Sequence, residues 1–178
     1  MLSIVKSMAL HGLNGYLVSV EVDVSSGLPA FDVVGLPDVS IKEAKERVRT
    51  AIKNSGEEFF SRKIVVNLAP AATKKEGSGF DLPIAVGILM SMEAISSKNA
   101  KKILENTIVI GELSLNGKVN KINGILPITI EAFSKRNKKN NITERKPERG
   151  KHCKRCRNNT SFNLARCKRL LGGKNGTT

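Results

Sequence analysis

The chain has 178 residues, enough for one domain with a real core, and it combines 40% hydrophobic residues with a formal net charge of +14. Its single Tyr and absent Trp argue against base stacking as a main activity, and no apolar run approaches the roughly 20 residues that span a bilayer. The charge is unevenly placed: residues 1–133 carry 15 Lys/Arg against 14 Asp/Glu, and residues 134–178 carry 15 against 2.

Residues 2–10 and 15–24 read as two strands, and the second alternates from Val18 to Val24, which predicts one buried face. His11-Gly12-Leu13-Asn14-Gly15 makes the turn between them, Gly27-Leu28-Pro29 makes another, and Phe31–Val34 reads as a third strand. Asp38 or Ser40 is expected to cap a helix reaching about Asn54, whose apolar residues Ile41, Ala44, Val48, Ala51 and Ile52 recur at helical spacing. Gly56 lies just past its end. The apolar run Ile64–Leu68 predicts a buried strand. It leads through a Gly/Ser/Lys loop to a helix from Leu82 to about Met92, with Asp81 as the expected N-cap and Pro83 early enough to cost no needed donor. A short helix is expected over Ala100–Leu104, a hairpin over 108–119 turning at Asn116-Gly117, and a helix over Ile125–Phe133. Strands and helices alternate, so the class is α/β or α+β.

The loop Lys74-Lys75-Glu76-Gly77-Ser78-Gly79 has a composition able to hold an anion, because it joins a strand to a helix start and is rich in Lys and Gly. It lacks the G-x-x-x-x-G-K-[ST] spacing of a P-loop, which occurs nowhere in the chain, and a purely structural loop is the plainer reading. His11 stands alone in a turn and reads as a surface histidine. Met1–Leu10 alternates where a signal peptide would run from basic to apolar, so a cytoplasmic protein without a membrane partner is expected.

Gly35-Leu36-Pro37-Asp38, the run from Asn67-Leu68-Ala69-Pro70 through Lys75-Glu76-Gly77 to Phe80-Asp81-Leu82-Pro83-Ile84-Ala85, and Gly111-Glu112-Leu113-Ser114-Leu115-Asn116-Gly117 resemble the N-terminal domain of the ComM/YifB family. These are magnesium-chelatase-like AAA+ ATPases. The resemblance covers about residues 1–135. It implies an α+β sandwich of the Lon-protease-like kind, related to the second domain of ribosomal protein S5. It also implies a following ATPase module that would carry ATP and Mg, a hexameric assembly, and a role in DNA branch migration during transformation. No cofactor is expected in this chain itself.

Lon-type proteases pair a serine with a lysine that serves as its base. In the resemblance the serine position falls on Gly79 and the lysine position on Leu126, and neither side chain can do that chemistry. The implication is a domain without catalysis. The enzyme alternative is a displaced pair, Ser78 with Lys75 or Lys74.

The boundary is expected near 137, with 1–137 as the folded domain and 138–178 as a basic, disordered tail able to bind nucleic acid non-specifically. His152, Cys153, Cys156 and Cys167 form a weak zinc-ligand pattern, weak because no second C-x-x-C or H-x-x-x-H accompanies it. A different account explains the tail's composition. Codons for Arg149–Phe162, read one base forward, can spell E-A-S-I-V-K-D-V-E-I-I-P-V, which restores apolar and acidic residues. The A-rich codons of Lys138-Lys139-Asn140 offer a slippage point.

Overall fold

The computed structural model describes residues 1–12, 14–57, 62–95, 97–139 and 164–171. Strands β1 (Leu2–His11) and β2 (Asn14–Ser25) form a long antiparallel pair in which Leu2 faces Asp23 and His11 faces Asn14. Strand β3 (Ala30–Val34) and helix α1 (Val39–Asn54) follow, then β4 (Lys63–Ala69). The sheet order is β1-β2-β4-β3, with β4 antiparallel to β2 and parallel to β3. The chain therefore leaves β3, crosses through α1, and returns beside it as β4, the crossover that a parallel pair requires.

The alternation in β2 does what its pattern predicts. Val18, Val20, Val22 and Val24 are buried on one face, level with Ile64, Val66 and Leu68 of β4 and Val5 of β1. Helices α1 and α2 (Asp81–Ser91) pack on that face. Every residue of α2 is buried, which suits a helix that is apolar all round. Gly87 lets α2 come close to β2, since a Cβ there would lie 2.6 Å from Val22 Cγ2. Two hydroxyls tie helix to sheet: Ser3 donates to the Gly87 carbonyl at 2.7 Å, and Ser91 to the Val22 carbonyl at 3.0 Å.

Helix α3 (Ser97–Leu104) starts three residues before the expected one. The hairpin is present as the short strands β5 (Glu112–Leu113) and β6 (Val119–Asn120), and α4 (Ile125–Lys139) lies against β1 and β2. The whole is α+β, with the core between the sheet and the α1/α2 layer.

Two expectations are corrected. Asp81 is not an N-cap but the first residue of α2; its carboxylate is buried and turned to Arg47. The tail is not wholly separate from the body. Helix α5 (Leu164–Leu170) packs on α2, with Leu164, Cys167 and Leu171 buried in the core, the Leu164 N–H on the Gly117 carbonyl at 2.8 Å, and Lys168 paired with Glu57. Three apolar side chains at positions i, i+3 and i+7 bury enough surface to dock one short basic helix of about two turns, whatever the charge around them.

Candidate functional site

The candidate loop sits where β3 and β4 end side by side. Its first anchor is Gly35, at φ +95, where a Cβ would run into the Leu68 backbone. Leu36 follows at φ +56, an uncommon conformation for a residue with a side chain. This sharp exit from β3 points the Gly35 and Leu36 carbonyls at the loop after β4.

Lys75 is their partner. It is fully buried, and its ammonium donates to the Gly35 carbonyl at 2.9 Å and to the Pro70 carbonyl. Its backbone N–H binds the Leu36 carbonyl at 3.1 Å, and its own carbonyl accepts the Asp38 N–H at 3.0 Å. No carboxylate forms an ion pair with Lys75 among the described residues, and burial lowers its pKa from the ordinary lysine value. Lys74, in contrast, is exposed and pairs with Glu76 at 2.9 Å.

Asp38 binds the two loops from the other side. One carboxylate oxygen caps α1 by accepting the Ile41 N–H at 2.8 Å, and the other accepts the Gly77 N–H at 3.0 Å. Of the expected alternatives for the cap, the structure uses Asp38. The loop's ammonium at Lys75 and its N–H at Gly77 are therefore both engaged by oxygens of the protein itself.

Ser78 opens a short 3-10 turn, Ser78–Phe80, that runs into α2. Its hydroxyl donates to Glu112, and Asn120 donates to the other oxygen of that carboxylate at 3.1 Å. These bonds hold Glu112 below the usual carboxylate range, with the Ser78 bond as the larger cause. Next to them Arg47 grips Asp81 through two nitrogens, at 2.8 and 3.1 Å, and the Leu113 N–H adds a third bond at 3.2 Å. Burial nonetheless outweighs these partners and raises Asp81 from the ordinary value.

The structure thus separates the members of the displaced pair by what they bind: Ser78 turns to Glu112, and Lys75 to backbone carbonyls. Gly79 is close-packed, since a Cβ there would lie 3.2 Å from Ile110 Cγ1, and Leu126 is 68% exposed on α4. Cys167 is buried among apolar side chains, with its thiol pushed up to about 11, while His152, Cys153 and Cys156 lie outside the described residues. The frame-shifted stretch 149–162 and the slippage codon of Asn140 lie outside them too. Among the described residues no three His, Cys, Asp or Glu side chains gather as metal ligands, and no helix is long and apolar enough to cross a membrane. Sequence reading missed Arg47, Asp81 and Glu112 as one network. The only trace was their polarity beside apolar runs.

Comparison with known proteins fits this geometry. The family model for subunit ChlI of Mg-chelatase matches residues 20–145. The YifB protein of Salmonella typhimurium is 44% identical over 132 residues, covering 74% of this chain and 25% of that protein. The competence protein ComM of Haemophilus influenzae is 40% identical over 131 residues, with the same two coverages. The Lon protease of Mycolicibacterium smegmatis is 28% identical over 124 residues, 66% of this chain and 15% of that enzyme. The chain spans about a quarter of the length of its YifB and ComM relatives. It belongs to the Mg-chelatase ChlI family, in the ComM/YifB group, and corresponds to the N-terminal domain of those longer proteins.

Proposed function

We propose that this chain is a non-catalytic, Lon-like N-terminal domain of a ComM/YifB-type AAA+ ATPase, cut off from its ATPase module by a change of reading frame near Lys138 to Asn140. The observation that carries the family part of the reading is the match to YifB and ComM relatives, and the frame change is supported by the shifted codons of Arg149–Phe162 and the A-rich codons of Lys138-Lys139-Asn140. The similarity to a Lon protease supports the Lon-like, S5-related fold. The engagement of Lys75 by carbonyls and of Ser78 by Glu112 supports a loop kept as scaffold. In the intact protein, ATP and Mg would bind the ATPase module, subunits would assemble as a cytoplasmic hexamer, and the activity would be DNA branch migration in recombination and competence. The name of the ComM relative supports the last of these.

One observation favours a second reading of the tail. Helix α5 docks into the core in the present frame, as a helix native to the domain would. Sequencing the gene through the codons for Lys135 to Thr178 and past the stop separates the two. A shifted frame that continues into an ATPase module with a phosphate-binding loop supports the proposal. A single verified frame with no such module downstream sinks it.

A further inference from the structure

Helix α5 fills a groove built by the body. Leu164, Cys167 and Leu171 enter the core beside α2, the Leu164 N–H meets the Gly117 carbonyl at 2.8 Å, and Lys168 pairs with Glu57. Gly117, at φ +79 in the turn between β5 and β6, keeps the groove open. A Cβ there would lie 2.4 Å from Ser55 Oγ and 3.8 Å from Leu164 Cβ. Away from the groove, Arg169 and Leu170 are exposed. The groove therefore asks four things of a helix: apolar side chains at 164, 167 and 171, and a base at 168.

The one-base shift described for Arg149–Phe162 can keep all four. The codon of Cys167, TGT or TGC, stands before the A of a lysine codon, so position 167 reads forward as GTA or GCA, Val or Ala. Leu164 and Leu171 each precede a codon that begins with G, and CTT there reads as TTG, again Leu. Lys168 before an AGA or AGG codon of Arg169 always reads as Lys or Arg. Arg166 and Arg169 invert, since AGA before T or C reads as Asp. The codons for Leu164–Leu171 can thus spell L-Q-D-V-K-D-F-L. We propose, on the frame reading above, that this groove is the docking site of the helix encoded in the shifted frame, apolar at 164, 167 and 171, basic at 168 and acidic around them. Helix α5 docks in the present frame because the shift conserves what enters the groove and inverts the charges beside it. Apolar burial holds either helix, whatever the sign of its outer charge.

The test compares the whole 178-residue chain with a repaired chain. In the latter one A is deleted from the codons of Lys138-Lys139-Asn140, a cysteine codon is kept at position 167, and translation stops after the codon that overlaps Gly172. Alkylation of the thiol at 167, located by mass mapping, is timed in buffer and in urea, and circular dichroism reports folding. The proposal expects both chains to protect that thiol at least about tenfold relative to urea. Glu57→Lys, which sets like charge against the base at 168, is expected to speed labelling several-fold in both; Glu57→Gln is the milder companion should the first not fold. A repaired chain that folds but labels as fast as in urea overturns the proposal. So does one that does not fold, or a Glu57 substitution that speeds labelling in the parent alone or in neither chain. A gene whose shifted codon at 164 or 171 is polar or a stop overturns it as well. Sequencing past the stop reads the ATPase module separately, so a shifted frame without that module sinks the functional reading and leaves the docking site standing.

Discussion

Lys75 and Gly35 are joined by a 2.9 Å hydrogen bond from a fully buried ammonium to a backbone carbonyl, forty residues apart in the chain. That bond, with its companion to Pro70, pins the exit of β3 to the exit of β4 and fixes the loop that leads into α2. Lys75→Met is expected to cost about 1–3 kcal/mol, because two buried carbonyls lose their donor. Lys75→Ala costs more, since a cavity is added. The pH dependence has a definite sign. Burial lowers the folded-state pKa below the ordinary 10.5, so the unfolded chain binds this proton more tightly. Relative to the Met variant, the parent gains stability as pH rises from the lowered value toward 10.5. Urea unfolding at several pH values measures it, and a difference that shifts in favour of Met as pH rises contradicts the assignment.

The Arg47–Asp81 pair supplies the second prediction. Asp81 is wholly buried and Arg47 partly so. Asp81→Ala leaves a guanidinium aimed at an empty pocket and is expected to destabilise by about 3–5 kcal/mol. Adding Arg47→Met should recover a large part of that loss. A double variant no better than Asp81→Ala alone would show that the two do not act as a pair.

Asp38 carries the third. Its carboxylate caps α1 and holds Gly77, so Asp38→Ala removes a helix cap and a loop tie together. The expected cost is about 1–2 kcal/mol for the cap, with the loop tie in addition. Thermal unfolding measures it, and a change of a few tenths would exclude the double role.

Much of this architecture is legible in the sequence. The alternation of Val18 to Val24 marked a one-faced strand, the spacing of Ile41 to Ile52 marked the inner face of α1, and Asp38 was one of two named caps. Legibility stops where partners lie far apart in the chain. Asp81 has the residue type and place of an N-cap, and only tertiary packing brings Arg47, 34 positions earlier, onto it. Lys75 reads as a solvated loop lysine because nothing local shows that Gly35 and Pro70 carbonyls converge on it. Charge also outweighed pattern in the tail: Leu164, Cys167 and Leu171 keep helical spacing inside a basic stretch, and that spacing was the available signal for α5.

Docking of α5 makes the fourth prediction. The Cys167 thiol is buried and its pKa is raised to about 11, so it should react with a thiol reagent only as the domain unfolds. Mass mapping of a brief alkylation under native conditions should leave Cys167 unmodified. Rapid native labelling at that residue would place α5 off the core.

The central claim is that the loop from Lys74 to Gly79 is scaffold and not an active site. A fluorophosphonate probe, which captures serine hydroxyls activated for attack on an acyl or phosphoryl centre, tests it most directly. The Ser78 hydroxyl donates to Glu112 while the Lys75 ammonium is held by two carbonyls, so the folded protein should remain unlabelled under conditions that label a Lon protease. Covalent labelling that disappears in Ser78→Ala, and with Lys75→Met, would contradict the account.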